Sequence, residues 1–139
     1  MKNTFVRWTV VCGAVLLAGC IRPRATGPVP GTDESGEITL TLGETRLLDD
    51  DVSVTFGRVG EDSRCPADVQ CITAGNAVVA LLIQERGEHS ETLQLNTHSN
   101  PRSKTEEEMR FEVISLTPLP KAGEGPPSTY VVRLRITRA

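Results

Sequence analysis

Tyr130, Val132, Leu134 and Ile136 alternate with Val131, Arg133, Arg135 and Thr137, and the same period of two recurs through much of the chain. Residues two apart share one face of an extended strand but lie on nearly opposite sides of a helix, so the pattern predicts half-buried β-strands. Ile38, Leu40 and Leu42 alternate with two threonines, and Val52, Val54 and Phe56 alternate with Ser53, Thr55 and Gly57 in a strand running to about Val59. Thr45 to Leu48 reads as a short strand, closed off by Asp49, Asp50 and Asp51. Ala77 to Ile83 is apolar at every position, the signature of a central strand buried on both faces. Arg86, Gly87 and Glu88 form the next turn, and Leu93 and Leu95 mark a returning strand. Residues 96–108 are polar and read as a loop with at most a helical turn. Met109, Phe111 and Val113 resume the alternation, with Ile114 and Leu116 passing to the other face. Four prolines between 118 and 127 bracket a long loop before the last strand, whose outward arginines suit an exposed edge. Short strands at this spacing predict an all-β domain. The expected architecture is a small antiparallel β-sandwich of six or seven strands, with a partly open β-barrel as the alternative.

The first nineteen residues stand apart. Lys2 and Arg7 precede an apolar stretch from Trp8 to Ala18, about half the roughly 20 residues needed to cross a bilayer. This is the pattern of an export signal. Leu17-Ala18-Gly19-Cys20, at its end, resembles the lipobox of bacterial lipoproteins. The resemblance implies that the Cys20 thiol carries a diacylglyceryl group, that the leader is cut before it, and that the new amine is acylated, for instance with palmitate. Several acyl chains together make a stable membrane anchor where one is marginal. Ile21, in place of an aspartate after the lipidated position, implies sorting to the outer membrane of the cell envelope. Residues 20–37 hold three prolines and three glycines and few apolar side chains, and read as a flexible tether. The β-domain is expected over 38–139.

Charge and cysteine usage narrow the possibilities. From Cys20 onward there are 13 basic and 18 acidic residues, a net charge of −5. Such a domain repels the phosphates of nucleic acid. The chain has four cysteines; Cys12 leaves with the leader and Cys20 is taken by lipid. Cys65 and Cys71 remain, and in an oxidising envelope that pair is expected as a disulfide. Zinc is the alternative, but two thiols fall short of the four ligands a structural zinc takes. His89 and His98 are far from both in sequence.

The ring closed by Cys65 and Cys71 has seven residues, for which chain entropy gives a stabilisation of about 2.4 kcal/mol. The bridge is therefore expected to brace a crossover between strands rather than to carry the fold. Pro66 favours a turn after the first cysteine, and Gly75 suits a left-handed backbone angle or a close approach. Asp62, Arg64 and Asp68 are the candidate interaction residues, a local charge cluster centred on Arg64. Phe56-Gly57-Arg58-Val59, Asp62-Ser63-Arg64-Cys65-Pro66, Val69-Gln70-Cys71 and Ala74-Gly75-Asn76-Ala77 together resemble a family of small bacterial envelope lipoproteins. Its signature is a DSRCP run, a second cysteine five residues after the proline, and an aromatic-Ala-Gly triplet. Leu95-Asn96-Thr97, Leu116 to Pro120 and the Tyr130 strand extend the similarity over most of 38–138. The family carries no agreed activity, so the resemblance implies a fold and a compartment and no reaction. The chain departs from the pattern at Thr73, where tryptophan is usual, and at Leu119, where tyrosine is usual.

No acid, base and nucleophile set can be named, and neither a nucleophile elbow, a phosphate-binding glycine loop nor a metalloprotease helix motif occurs. Asp49 to Asp51 lack the ligand spacing of a calcium loop and read as a solvated turn. Glu106 to Glu108 reads as a solvated loop. The expectation is a non-catalytic envelope lipoprotein acting as a binding or structural module, without metal or cofactor, held by membrane lipid through Cys20 and with a protein partner in the envelope. The alternative is an inhibitor of an envelope or foreign hydrolase. It would use the Cys65–Cys71 loop, with Arg64 projecting, or the 117–127 loop.

Overall fold

A computed structural model describes residues 29–33, 36–86 and 90–139. The leader, Cys20, most of the tether and His89 lie outside the described residues. The described residues form eight strands and no helix: β1 (Glu37–Thr41), β2 (Thr45–Leu47), β3 (Val52–Asp62), β4 (Ala77–Glu85), β5 (Ser90–Asn96), β6 (Ser103–Glu106), β7 (Met109–Thr117) and β8 (Val131–Arg138). They make two four-stranded antiparallel sheets, ordered β1-β8-β7-β6 and β2-β3-β4-β5. This is a small β-sandwich, and the sheets do not close into a barrel.

The alternation places the core. Leu40, Phe111, Val113, Leu134 and Ile136 face inward from one sheet, and Val54, Phe56, Leu81, Ile83 and Leu95 from the other, all at 1% exposure or less. Fully burying such a side chain contributes about 1.5–3 kcal/mol, so any two of them outweigh the seven-residue ring.

Several expectations are corrected. β4 is central in its sheet, yet Val78 and Leu82 are only half-buried, because no second layer of the described residues covers its outer face. Residues 103–106 are a strand and not part of a loop. They pair with β7 through a tight turn in which Glu107 and Glu108 take φ of 49° and 58°, so the acidic run is the hairpin itself. β8 is not an edge, since β1 and β7 flank it. Its arginines instead hold the buried Glu37: Arg135 donates to Oε1 at 2.8 Å, and Arg133 lies 2.6 Å from Oε2 without hydrogen-bond alignment. Leu116 does not pass to the outer face, because a bulge between Val113 and Ser115 returns it to the core. Finally, Val29 belongs to the core cluster and Glu37 opens β1, so the sequence assigned to the tether is packed against the domain by its last part.

Candidate functional site

β3 runs past Val59 to Asp62 through two register shifts, one between Phe56 and Arg58 and one between Val59 and Asp62. Gly57 and Gly60 fall at these shifts, and bulges of this kind bend a strand and raise its twist. Beyond Asp62 the chain keeps pairing with the approach to β4: Ser63 N–H donates to the Asn76 carbonyl at 2.8 Å and Cys65 N–H to the Ala74 carbonyl at 2.9 Å. Gly75 makes this pairing possible. Its φ is +68°, and a Cβ there would stand 1.9 Å from the Ser63 carbonyl oxygen, so both expected reasons for glycine apply. The ladder ends where Cys65 and Cys71 meet at disulfide distance, their Cα atoms 5.8 Å apart.

Arg64 turns inward under this ladder and is 3% exposed. Its Nε and Nη2 donate to the two Asp62 carboxylate oxygens at 2.8 and 2.7 Å, a bidentate pair. Nη2 also donates to the Pro118 carbonyl at 2.8 Å, and Nη1 donates to the Leu116 carbonyl. One guanidinium thus ties the end of β3 to the end of β7 and the start of the proline-rich loop. Tyr130 completes the group: its hydroxyl donates to Asp62 Oδ2 at 3.1 Å, and its ring centroid lies 6.0 Å from the Arg64 guanidinium carbon, at the limit of a cation–π contact. Burial opposes ionisation of Asp62, but the bonds and charge of Arg64, with the Tyr130 hydroxyl, hold its carboxyl below the usual range. Burial, and then the hydrogen bond to Asp62 and its charge, push the Tyr130 phenol up.

Asp68 does not join Arg64. Its Oδ1 accepts from Ala122 N–H at 2.9 Å, while Ala67 N–H donates to the Pro120 carbonyl at 2.9 Å. The cysteine loop and the proline-rich loop are thereby fastened to each other at two points. Of the three residues expected to cluster, Asp62 and Arg64 come together and Asp68 serves as an anchor for the neighbouring loop. Arg64 as the projecting residue of an inhibitor loop is contradicted by its burial.

What does project is apolar. Ile72 is 105% exposed, and Val69 and Leu119, on the same two fastened loops, are each 45% exposed. In the sequence Val69 and Leu119 stand out only as positions of the motif and of a departure from it, and Ile72 only as a lone isoleucine just outside a polar, cystine-closed ring. Asn76 was likewise seen only as part of a motif. Its side-chain oxygen accepts from the His98 and Ser99 amides at 3.0 and 3.1 Å, and its Nδ2 donates to Asn96 Oδ1 at 2.7 Å. Thr97, buried, accepts from the Ala77 amide at 2.9 Å. Asp62 to Cys65, Ala74 to Asn76, Asn96, Thr97, Leu116, Pro118 and Tyr130 therefore meet at one end of the sandwich. Their shared work there is to hold the cysteine loop, the proline-rich loop and the 97–99 segment in place.

The opposite acidic feature is different. Asp49 to Asp51, Glu85, Glu107 and Glu108 line a depression of about 420 Å³. Asp49 Oδ1 accepts from the Asp51 and Val52 amides at 3.0 and 2.8 Å, and Arg86 pairs with Asp51 at 3.2 Å, as in a solvated turn. Among the described residues no group of three or more acidic, histidine or cysteine side chains is placed to hold a metal ion. Compared with family models, curated proteins and solved structures, the chain finds no match.

Proposed function

We propose that the chain is a cell-envelope lipoprotein whose β-domain is a non-catalytic binding module. Lipid on Cys20 anchors it to the membrane, and the rim formed by Val69, Ile72 and Leu119 docks a protein partner. The observation that carries the reading is the full exposure of Ile72 on a loop fixed by a cysteine pair, by the 63–65/74–76 ladder and by two bonds to the neighbouring loop. An apolar side chain on a preorganised loop gains its burial on docking with little ordering cost. Single exposed apolar residues are ordinary; three on two loops that are fastened to each other are more than that. The net charge of −5 from Cys20 onward favours a partner whose apolar cleft is bordered by basic side chains. An inhibitor of an envelope or foreign hydrolase is a special case of this reading, with Ile72 in place of Arg64 as the inserted residue.

The test is photo-crosslinking in the native envelope from a reactive group at position 119, with Ile72→Asp alongside. Docking by the rim predicts one adduct that contains a basic protein, weakens as salt rises, and disappears in the variant. Adducts only to lipid or to a second copy of the chain, or an adduct indifferent to Ile72→Asp, would overturn it. Metabolic labelling with a palmitate analogue, abolished by Cys20→Ala, tests the anchor separately.

A further inference from the structure

A concavity of about 240 Å³ lies beside the rim, where the 97–102 loop faces the end of β7. Arg64, His98 and Arg102 contribute its polar wall, and Ile114, Leu116 and Leu119 its apolar one. We infer that this concavity binds an organic carboxylate whose neighbouring carbon carries a short branched apolar side chain.

Three observations support the assignment. The first is sign: in a chain that is acidic overall, two arginines and a histidine line this hollow and no carboxylate does. Asp62 sits behind Arg64 and neutralises it, so the uncompensated charge is that of Arg102, which is exposed and whose side chain, among the described residues, bonds only to the Val113 carbonyl, at 3.2 Å. The second is donor supply. Among the described residues the Leu116 carbonyl takes only one of the two Arg64 Nη1 hydrogens, and the His98 ring meets only the Thr97 hydroxyl, through Nδ1 at 3.1 Å. A buried donor such as Arg64 Nη1 seeks an acceptor, the exposed His98 ring can offer a second contact at the rim of the hollow, and an arginine fork matches a carboxylate. The third is size. Ligand pockets for drug-sized molecules run to about 300–1,000 Å³, so this one suits a single residue-sized acid with its remainder lying outside. A free amino-acid derivative and the C-terminal residue of a peptide share this chemistry. Leu119 borders both this hollow and the rim, but the inference does not depend on a partner docking at the rim.

The experiment is an NMR titration of the full-length protein in nonionic detergent, at fixed ionic strength, with N-acetyl-leucine and with N-acetyl-leucine amide as the neutral control. The carboxylate should give saturable shifts confined to amides of 97–100, 102, 114–116 and 119, and bind at least tenfold tighter than the amide. Arg102→Gln should weaken it about tenfold or more, as expected for loss of a charge-assisted bond, while leaving the remaining spectrum unchanged. Ile72→Asp should leave it unaltered, which separates this site from the rim. A tetrapeptide ending in leucine that binds more tightly than N-acetyl-leucine assigns the source to protein C-termini; equal binding assigns it to free acids. Shifts that do not saturate, that map elsewhere, that are equal for the neutral amide, or that survive Arg102→Gln would overturn the site.

Discussion

Replacing Arg64 by methionine keeps most of its volume and removes every polar contact of its side chain, leaving only its backbone amide on Asp62 Oδ1 at 3.3 Å. Asp62 then loses both bidentate bonds while its side chain stays 8% exposed, and the Leu116 carbonyl loses its partner. Removing one member of a buried ion pair costs about 3–5 kcal/mol, because the other charge is left uncompensated. The Tyr130 hydroxyl still donates to Asp62, which places the expected cost near the lower end, about 3 kcal/mol. For a domain of about 100 residues that lowers Tm by roughly 12–24 °C. Asp62→Asn keeps an acceptor and leaves Arg64 its two carbonyls, so it should cost less, about 1.5–3 kcal/mol. The double variant should be more stable than the sum of the singles by about 2 kcal/mol, since each single strands the other's partner. Urea unfolding followed by far-UV circular dichroism measures all three. Tyr130, the only tyrosine in the chain, reports the site itself by near-UV signal. An Arg64→Met cost below about 1 kcal/mol, or strictly additive singles, would refute the clamp.

Other consequences follow from particular contacts. Gly75→Ala must relieve both a positive φ and a 1.9 Å overlap with the Ser63 carbonyl, and should cost at least about 2 kcal/mol and release protection of the Cys65 amide in hydrogen exchange. Glu107→Asn with Glu108→Gly should stabilise by about 1 kcal/mol in the same unfolding assay, because both positions need the φ > 0 that asparagine and glycine tolerate. For pH, the Asp62 carboxyl is depressed in the folded state relative to its ordinary value of 3.8, so its contribution is full above that value and is lost as pH falls through the lower, folded one. Below about pH 4 the wild type should therefore lose stability more steeply than Asp62→Asn; parallel profiles would count against the pairing.

Much of the sandwich could be read directly. The alternation in β8 and β3 and the apolar run of β4 appear in the sequence because inward and outward faces meet such different surroundings. β6 did not, since Ser103, Lys104, Thr105 and Glu106 carry no apolar residue; they are held at a sheet edge by backbone pairing and a bond from Arg110 to the Ser103 hydroxyl. The bulge at Ile114 inverted the expected facing of Leu116, because one inserted residue changes the parity of everything after it. At the site, the pairing of Arg64 with Asp62 was legible from a separation of two residues. Its bonds to the carbonyls of Leu116 and Pro118 were not, being backbone contacts about fifty residues away that no side chain announces. Asp68 was misassigned for the same reason: its partner is an amide of the next loop.

Side-chain NMR tests the organisation of the cysteine-closed end most directly. The account predicts a slowly exchanging Arg64 Nε–H, nuclear Overhauser contacts from the Arg64 side chain to the Tyr130 ring, and Ile72 methyl groups with no contact to the core. A rapidly exchanging, solvent-averaged Arg64 guanidinium, or Ile72 methyls packed against the sandwich, would contradict it.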